Sequence, residues 1–83
     1  MTADEAYRGL QVVFNQVFGR SDVALTARLT AQDVPGWDSF RHVDLIMGAE
    51  EHFHINLRDA DIDEIEDIGD LVAVILQVAN AAS

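Results

Sequence analysis

The chain has 83 residues, 49% of them apolar, with 15 acids against 5 bases and a formal net charge of −10. That length holds one small domain over residues 1–83. Ordering at roughly 1.5 kcal/mol per residue against a similar hydrophobic return leaves little room for a large enclosed catalytic cavity. The negative field disfavours nucleic acid, and the lack of cysteine excludes disulfides, thiolate metal sites and a cysteine nucleophile.

The first helix begins at Thr2, where Thr2 and Glu5 have the spacing of a capping box. Tyr7, Leu10, Val13 or Phe14, Val17 and Phe18 recur at helical spacing, and Gly19 stands where helices favour a left-handed stop. Residues 19–37 show no period of two or of 3.6. They read as a long ordered connection pinned to the core by Val23, Leu25, Leu29 and Val34.

Pro35 cannot continue a helix and Asp38 is a good N-cap, so a second helix is expected from about Asp38 to Phe53. Val43, Ile46, Met47 and Phe53 form its expected apolar stripe, with Asp44, Glu50 and Glu51 on other faces. Gly48 is costly inside a helix, by roughly 1 kcal/mol against alanine, which implies close packing on a neighbour. The acidic stretch "INLRDADIDEIED" holds a single expected turn around Ile62 and Ile65. Asp67 caps a last helix that buries Ile68, Leu71, Val72, Ile75, Val78 and Ala79 and frays in "NAAS". No segment alternates as a strand. The expected fold is all-α: a small irregular four-helix bundle of three main helices and one short one, with a long loop between the first two.

Within this frame "PGWDSF", residues 35–40, places Ser39 after an ordered loop and at a helix N-terminus. Free N–H groups and the helix dipole there favour a negatively charged group such as a phosphate. The following helix is edged with carboxylates, a surface suited to a basic protein partner.

These residues carry a resemblance to the acyl carrier proteins. "GWDSF" is similar to the family's Asp-Ser-Leu attachment motif, "VDLIMGAEEHFHINL" resembles its second helix, and "DIGDLVAVI" falls where the family has its last. The likeness spans almost the whole chain. It implies that Ser39 takes 4′-phosphopantetheine from coenzyme A, with Asp38 capping the helix and helping a phosphopantetheinyl transferase to engage. It further implies an arm that holds acyl or aminoacyl groups as thioesters, so the thiol is imported and no cysteine is needed. Partner enzymes (acyl or aminoacyl ligases, synthases, acyltransferases) would meet Asp44, Glu50 and Glu51, with Phe40 and Arg41 beside them. Val43, Ile46, Met47, Ile65, Ile68 and Leu71 would line a crevice that shelters an acyl chain. The expectation is a cytoplasmic, monomeric carrier of fatty-acid, polyketide or specialised lipid biosynthesis, with no catalysis of its own and no membrane insertion.

The sequence departs from the family in three places. Phe40 stands where leucine is usual, Arg41 and His42 follow it, and Gly36-Trp37-Asp38-Ser39-Phe40 replaces Gly-Ala-Asp-Ser-Leu. These changes point to a specialised carrier. A serine hydrolase lacks its Gly-x-Ser-x-Gly elbow, because position 41 is arginine. In "EEHFH", Glu51, His52 and His54 do not converge on a helix, so no metal site is expected. The standing alternative is an acidic helical adaptor that docks basic partners without a prosthetic group, and modification of Ser39 separates the two.

Overall fold

The computed structural model describes residues 1–81. Helix α1 spans Ala3–Phe18, α2 Ser39–Phe53, α3 Asp59–Asp63 and α4 Ile68–Ala81, with one 3₁₀ turn at Ala31–Asp33 in the long loop. The 3₁₀ turn is absent from the sequence reading. Its signal is Thr30 and Asp33, whose carboxylate Oδ2 accepts from the Thr30 backbone N–H at 3.0 Å and from its hydroxyl at 3.2 Å. Helix α4 continues through Asn80 and Ala81, and the rest of the expected fraying lies outside the described residues.

Helix α1 starts as expected: the Thr2 hydroxyl accepts from the Glu5 N–H at 3.3 Å, and Glu5 Oε1 accepts from the Thr2 N–H at 3.3 Å. It ends at Gly19, whose φ of 64° is the left-handed cap conformation. Leu10 and Phe14 of α1 are fully buried with Leu45 of α2 and Ile75 of α4, while Ile68 and Leu71 are nearly so. Each such side chain contributes on the order of 1.5–3 kcal/mol by leaving water.

Helix α2 runs antiparallel to α1 in close contact. A Cβ on Gly9 would come within 2.6 Å of Phe53 Cζ, and one on Gly48 within 2.7 Å of Val13 Cγ1. Gly48 thus has its reason: a side chain there would push the two helices apart.

The loop is pinned by Val23, Leu25 and Leu29, all partly buried, and by Val34 at 3% exposure. Gln11 holds it as well, donating from Nε2 to the Val23 carbonyl at 2.8 Å and accepting the Leu25 N–H at 3.0 Å. Its middle is tied to α4: the Ile68 and Gly69 N–H groups donate to the carbonyls of Leu29 and Ala27, each at 2.9 Å. Asp67 completes that helix start by accepting the Asp70 N–H at 2.8 Å. The N-terminal donors of α4 are therefore satisfied by loop and cap together. No helix of the described residues is long and apolar enough to cross a membrane.

Candidate functional site

The junction of loop and α2 is built by Pro35, Gly36 and Asp38. Gly36 takes φ +88°, which a side chain would resist, and turns the chain so that the Trp37 N–H donates to the Val34 carbonyl at 3.2 Å. Asp38 then leaves the helix in extended conformation (φ −107°, ψ −171°) and accepts the Arg41 N–H on Oδ1 at 2.9 Å. Its carbonyl accepts from His42 N–H at 2.9 Å. Capping is thus the work of Asp38 alone. Ser39 is the first residue of α2, exposed, and its hydroxyl takes no hydrogen bond among the described residues.

Beside Ser39 opens a pocket of about 490 Å³, walled by Ala31, Trp37, Asp38, His42 and Val43. A second, narrower cleft of about 120 Å³ lies deeper, lined by Ile65, Ile68 and Leu71 together with Ala31, Trp37 and His42, with Glu66 and Asp67 on its wall. Trp37 is held in place by aromatic contacts. Its ring meets Phe14 edge-on at 5.9 Å and Phe18 at 5.6 Å, and these two stack on each other at 4.3 Å. On its other side Trp37 stacks on His42 at 6.2 Å and donates from Nε1 to His42 Nδ1 at 3.4 Å.

The expected crevice residues divide. Ile65, Ile68 and Leu71 come together in the cleft, Val43 stands at the outer pocket, and Ile46 is buried at 3% exposure without lining either space. Met47 lies on the outer face of α2. The expected buried stripe therefore needs correction: Val43 is 53% exposed and Met47 59%, whereas Leu45 and Ala49 are fully buried. The inward face is His42, Leu45, Ile46, Ala49 and Phe53, spaced three and four apart. That spacing was available in the sequence, and the apolar type of Val43 and Met47 masked it. With Phe40, 81% exposed, these two make an apolar line on the outside of the helix next to Ser39.

Charges frame that line unequally. Asp44 and Glu51 are exposed and share the outer face with Phe40 and Met47. Glu50 is different: it is half-buried, and its Oε2 accepts the Leu57 N–H at 2.9 Å, which fixes the chain leaving α2. Arg41 reaches back to α1, donating from a guanidinium nitrogen to the Val17 carbonyl at 3.2 Å, with Asp44 Oδ2 4.0 Å away. It thereby places a cation at an α1 C-terminus that has no basic residue in its last turn. The displaced pKa values lie away from this site: the Arg20 guanidinium bonded to Asp22 holds that carboxyl down at about 2.

No family model matches the chain. Over 72 residues it is 29% identical to the acyl carrier protein of Thermotoga maritima, a match covering 87% of this chain and 89% of that protein. It is 28% identical over 75 residues to the acyl carrier protein of an Exiguobacterium species, covering 90% and 95%. Among solved structures it is similar to the solution NMR structure of holo acyl carrier protein from Geobacter metallireducens, with a TM-score of 0.87 and 27% identity. That likeness covers 93% of this chain and 88% of the other.

Proposed function

As the chain belongs to the acyl carrier protein family, we propose that Ser39 is its attachment point for 4′-phosphopantetheine. The observation that carries this reading is the division of labour at the head of α2. Asp38 does the capping, which leaves the Ser39 hydroxyl exposed and unbonded at the mouth of an open pocket. The residues fit such a group: the first-turn amides and the helix dipole favour a phosphodiester there, and the pocket walls are largely apolar.

In the loading step Ser39 Oγ attacks the pantetheine-side phosphorus of coenzyme A. A new P–O bond forms, the bond to the bridging oxygen breaks, and the adenosine bisphosphate leaves. The hydroxyl proton passes to the transferase. Once bound, the arm supplies a thiol that holds an acyl or aminoacyl group as a thioester. The chain's own residues do the rest: Asp38 fixes the helix start, and Trp37, His42 and Val43 form the surface against which a tethered group can rest. No chemistry on the cargo is assigned to this chain, which carries and presents.

The partners we assign are a phosphopantetheinyl transferase and the ligases, synthases or acyltransferases that load and unload the arm. Phe40, Val43 and Met47 with Asp44 and Glu51 support docking of a surface that is apolar at its centre and basic at its rim. Glu50 and Arg41 border that face while serving structural bonds of their own. We place the carrier in the cytoplasm as a monomer, in fatty-acid, polyketide or specialised lipid synthesis.

The test is the intact mass after incubation with coenzyme A, magnesium and a broad-specificity phosphopantetheinyl transferase. One phosphopantetheine is expected on the wild type and none on Ser39→Ala. No addition to folded wild type, with a control carrier modified alongside, would leave the acidic-adaptor reading in its place.

A further inference from the structure

Trp37 and His42, with Ala31, line both the pocket beside Ser39 and the deeper cleft, and so form the wall between them. The wall is braced. Trp37 is wedged edge-on against Phe14 and Phe18 and bonded to His42, while His42 is half-buried on the inner face of α2. Moving the indole would break three ring contacts and a hydrogen bond at once.

The two spaces suit different guests. The cleft is about 120 Å³ and is floored by Ile68 and Leu71, each 1% exposed. It has about a quarter of the outer pocket's volume, and Glu66 and Asp67 stand on its wall, so a long alkyl chain entering it would have to widen it beside two carboxylates. The outer pocket, at about 490 Å³, has the size of an ordinary small-molecule site and is walled by an indole and an imidazole.

Resting on the assignment of Ser39 as the attachment point, we propose that Trp37 and His42 act as a partition that sets the class of cargo. Short or planar acyl and aminoacyl groups are held in the outer pocket, and long alkyl chains are kept out of the cleft.

The test loads acetyl-, octanoyl- and benzoyl-phosphopantetheine from the corresponding coenzyme A thioesters, with intact mass confirming one arm per chain and none on Ser39→Ala. Thioester cleavage by hydroxylamine and the emission of Trp37, the one tryptophan of the chain, are then read. On the wild type the octanoyl thioester should be cleaved as fast as the acetyl one. In His42→Ala, and in Trp37→Leu as a second opening of the wall, octanoyl cleavage should slow about fivefold as the chain spends most of its time sheltered. The benzoyl group should change the Trp37 emission of the wild type, and the octanoyl group should not. Octanoyl protection already in the wild type, no protection gained in either variant, or an emission blind to the benzoyl group would each overturn the partition. Failure to load at all would show instead in the mass, and would remove the carrier assignment and the partition with it.

Discussion

Gly48 of α2 faces Val13 of α1 so closely that a Cβ added to the glycine would lie 2.7 Å from Val13 Cγ1. Alanine at position 48 would gain about 1 kcal/mol of helix propensity. It would also force a branched side chain and a helix backbone apart, at about 1–3 kcal/mol for overpacking. Overpacking wins, because Val13 is β-branched, stiff at χ1 and buried at 3% exposure. Gly48→Ala should therefore lower the urea midpoint with an unchanged slope, whereas at an exposed, uncrowded helix position the same change would raise it.

Asp44 and Glu50 carry the same charge and should behave differently. The Asp44 carboxylate is exposed, with Arg41 4.0 Å away, while Glu50 accepts the Leu57 N–H at 2.9 Å. Asp44→Lys should leave the melting temperature within a degree or two and weaken binding to the phosphopantetheinyl transferase at low salt. Glu50→Lys should cost on the order of 1–2 kcal/mol of stability, since a half-buried amide loses its acceptor. Equal melting curves for the two variants would contradict this division.

His54 ends α2 in the left-handed region, at φ 57° and ψ 47°, where glycine is the usual residue. A side chain there costs about 1 kcal/mol, and glycine returns part of that gain to the unfolded chain. His54→Gly should raise stability by about 0.5 kcal/mol, measured as a shift in the urea midpoint.

Arg20 donates to both Asp22 oxygens, and that hydrogen-bonded pairing lowers the Asp22 pKa to about 2. A depressed carboxylate favours the fold while it is ionised. Its contribution is present above its ordinary pKa of 3.8 and is lost as pH falls towards about 2. Both side chains lie at the surface, so the effect on melting is small. The Asp22 carboxyl carbon should titrate below the ordinary value of 3.8 by NMR, and should return towards it in Arg20→Gln.

Helix order, caps and the head of α2 were legible in the chain because capping chemistry is local. Thr2 with Glu5, Gly19, and Asp38 before Ser39 each act within a few residues of themselves. Gly48 announced a close approach without naming Val13. The outward turn of Val43 and Met47 was hidden because residue type reports hydrophobicity and says nothing of which side a partner will cover. The bonds from Gln11 to Val23 and Leu25 and from Glu50 to Leu57 have no periodic signature, since each joins a side chain to backbone across a turn of the fold. Trp37 stood out in sequence as a departure from its relatives. Its place as a wall became apparent only when Phe14 and Phe18 were seen to brace it.

The two bonds from Ile68 and Gly69 to the loop carbonyls have a consequence for where this molecule can give. They join the long loop to α4, and Gln11 joins the same loop to α1, so these parts should open to solvent together as one cooperative unit. Helix α3 stands outside that unit. It has five residues, none of them buried, and a helix so short is marginal without support. Amide exchange should accordingly be fast over 59–65 and slow at Ile68 and Gly69. A chain admitted to the cleft by His42→Ala or Trp37→Leu would then meet its softest wall at Ile65, while the loop that presents Ser39 keeps its place.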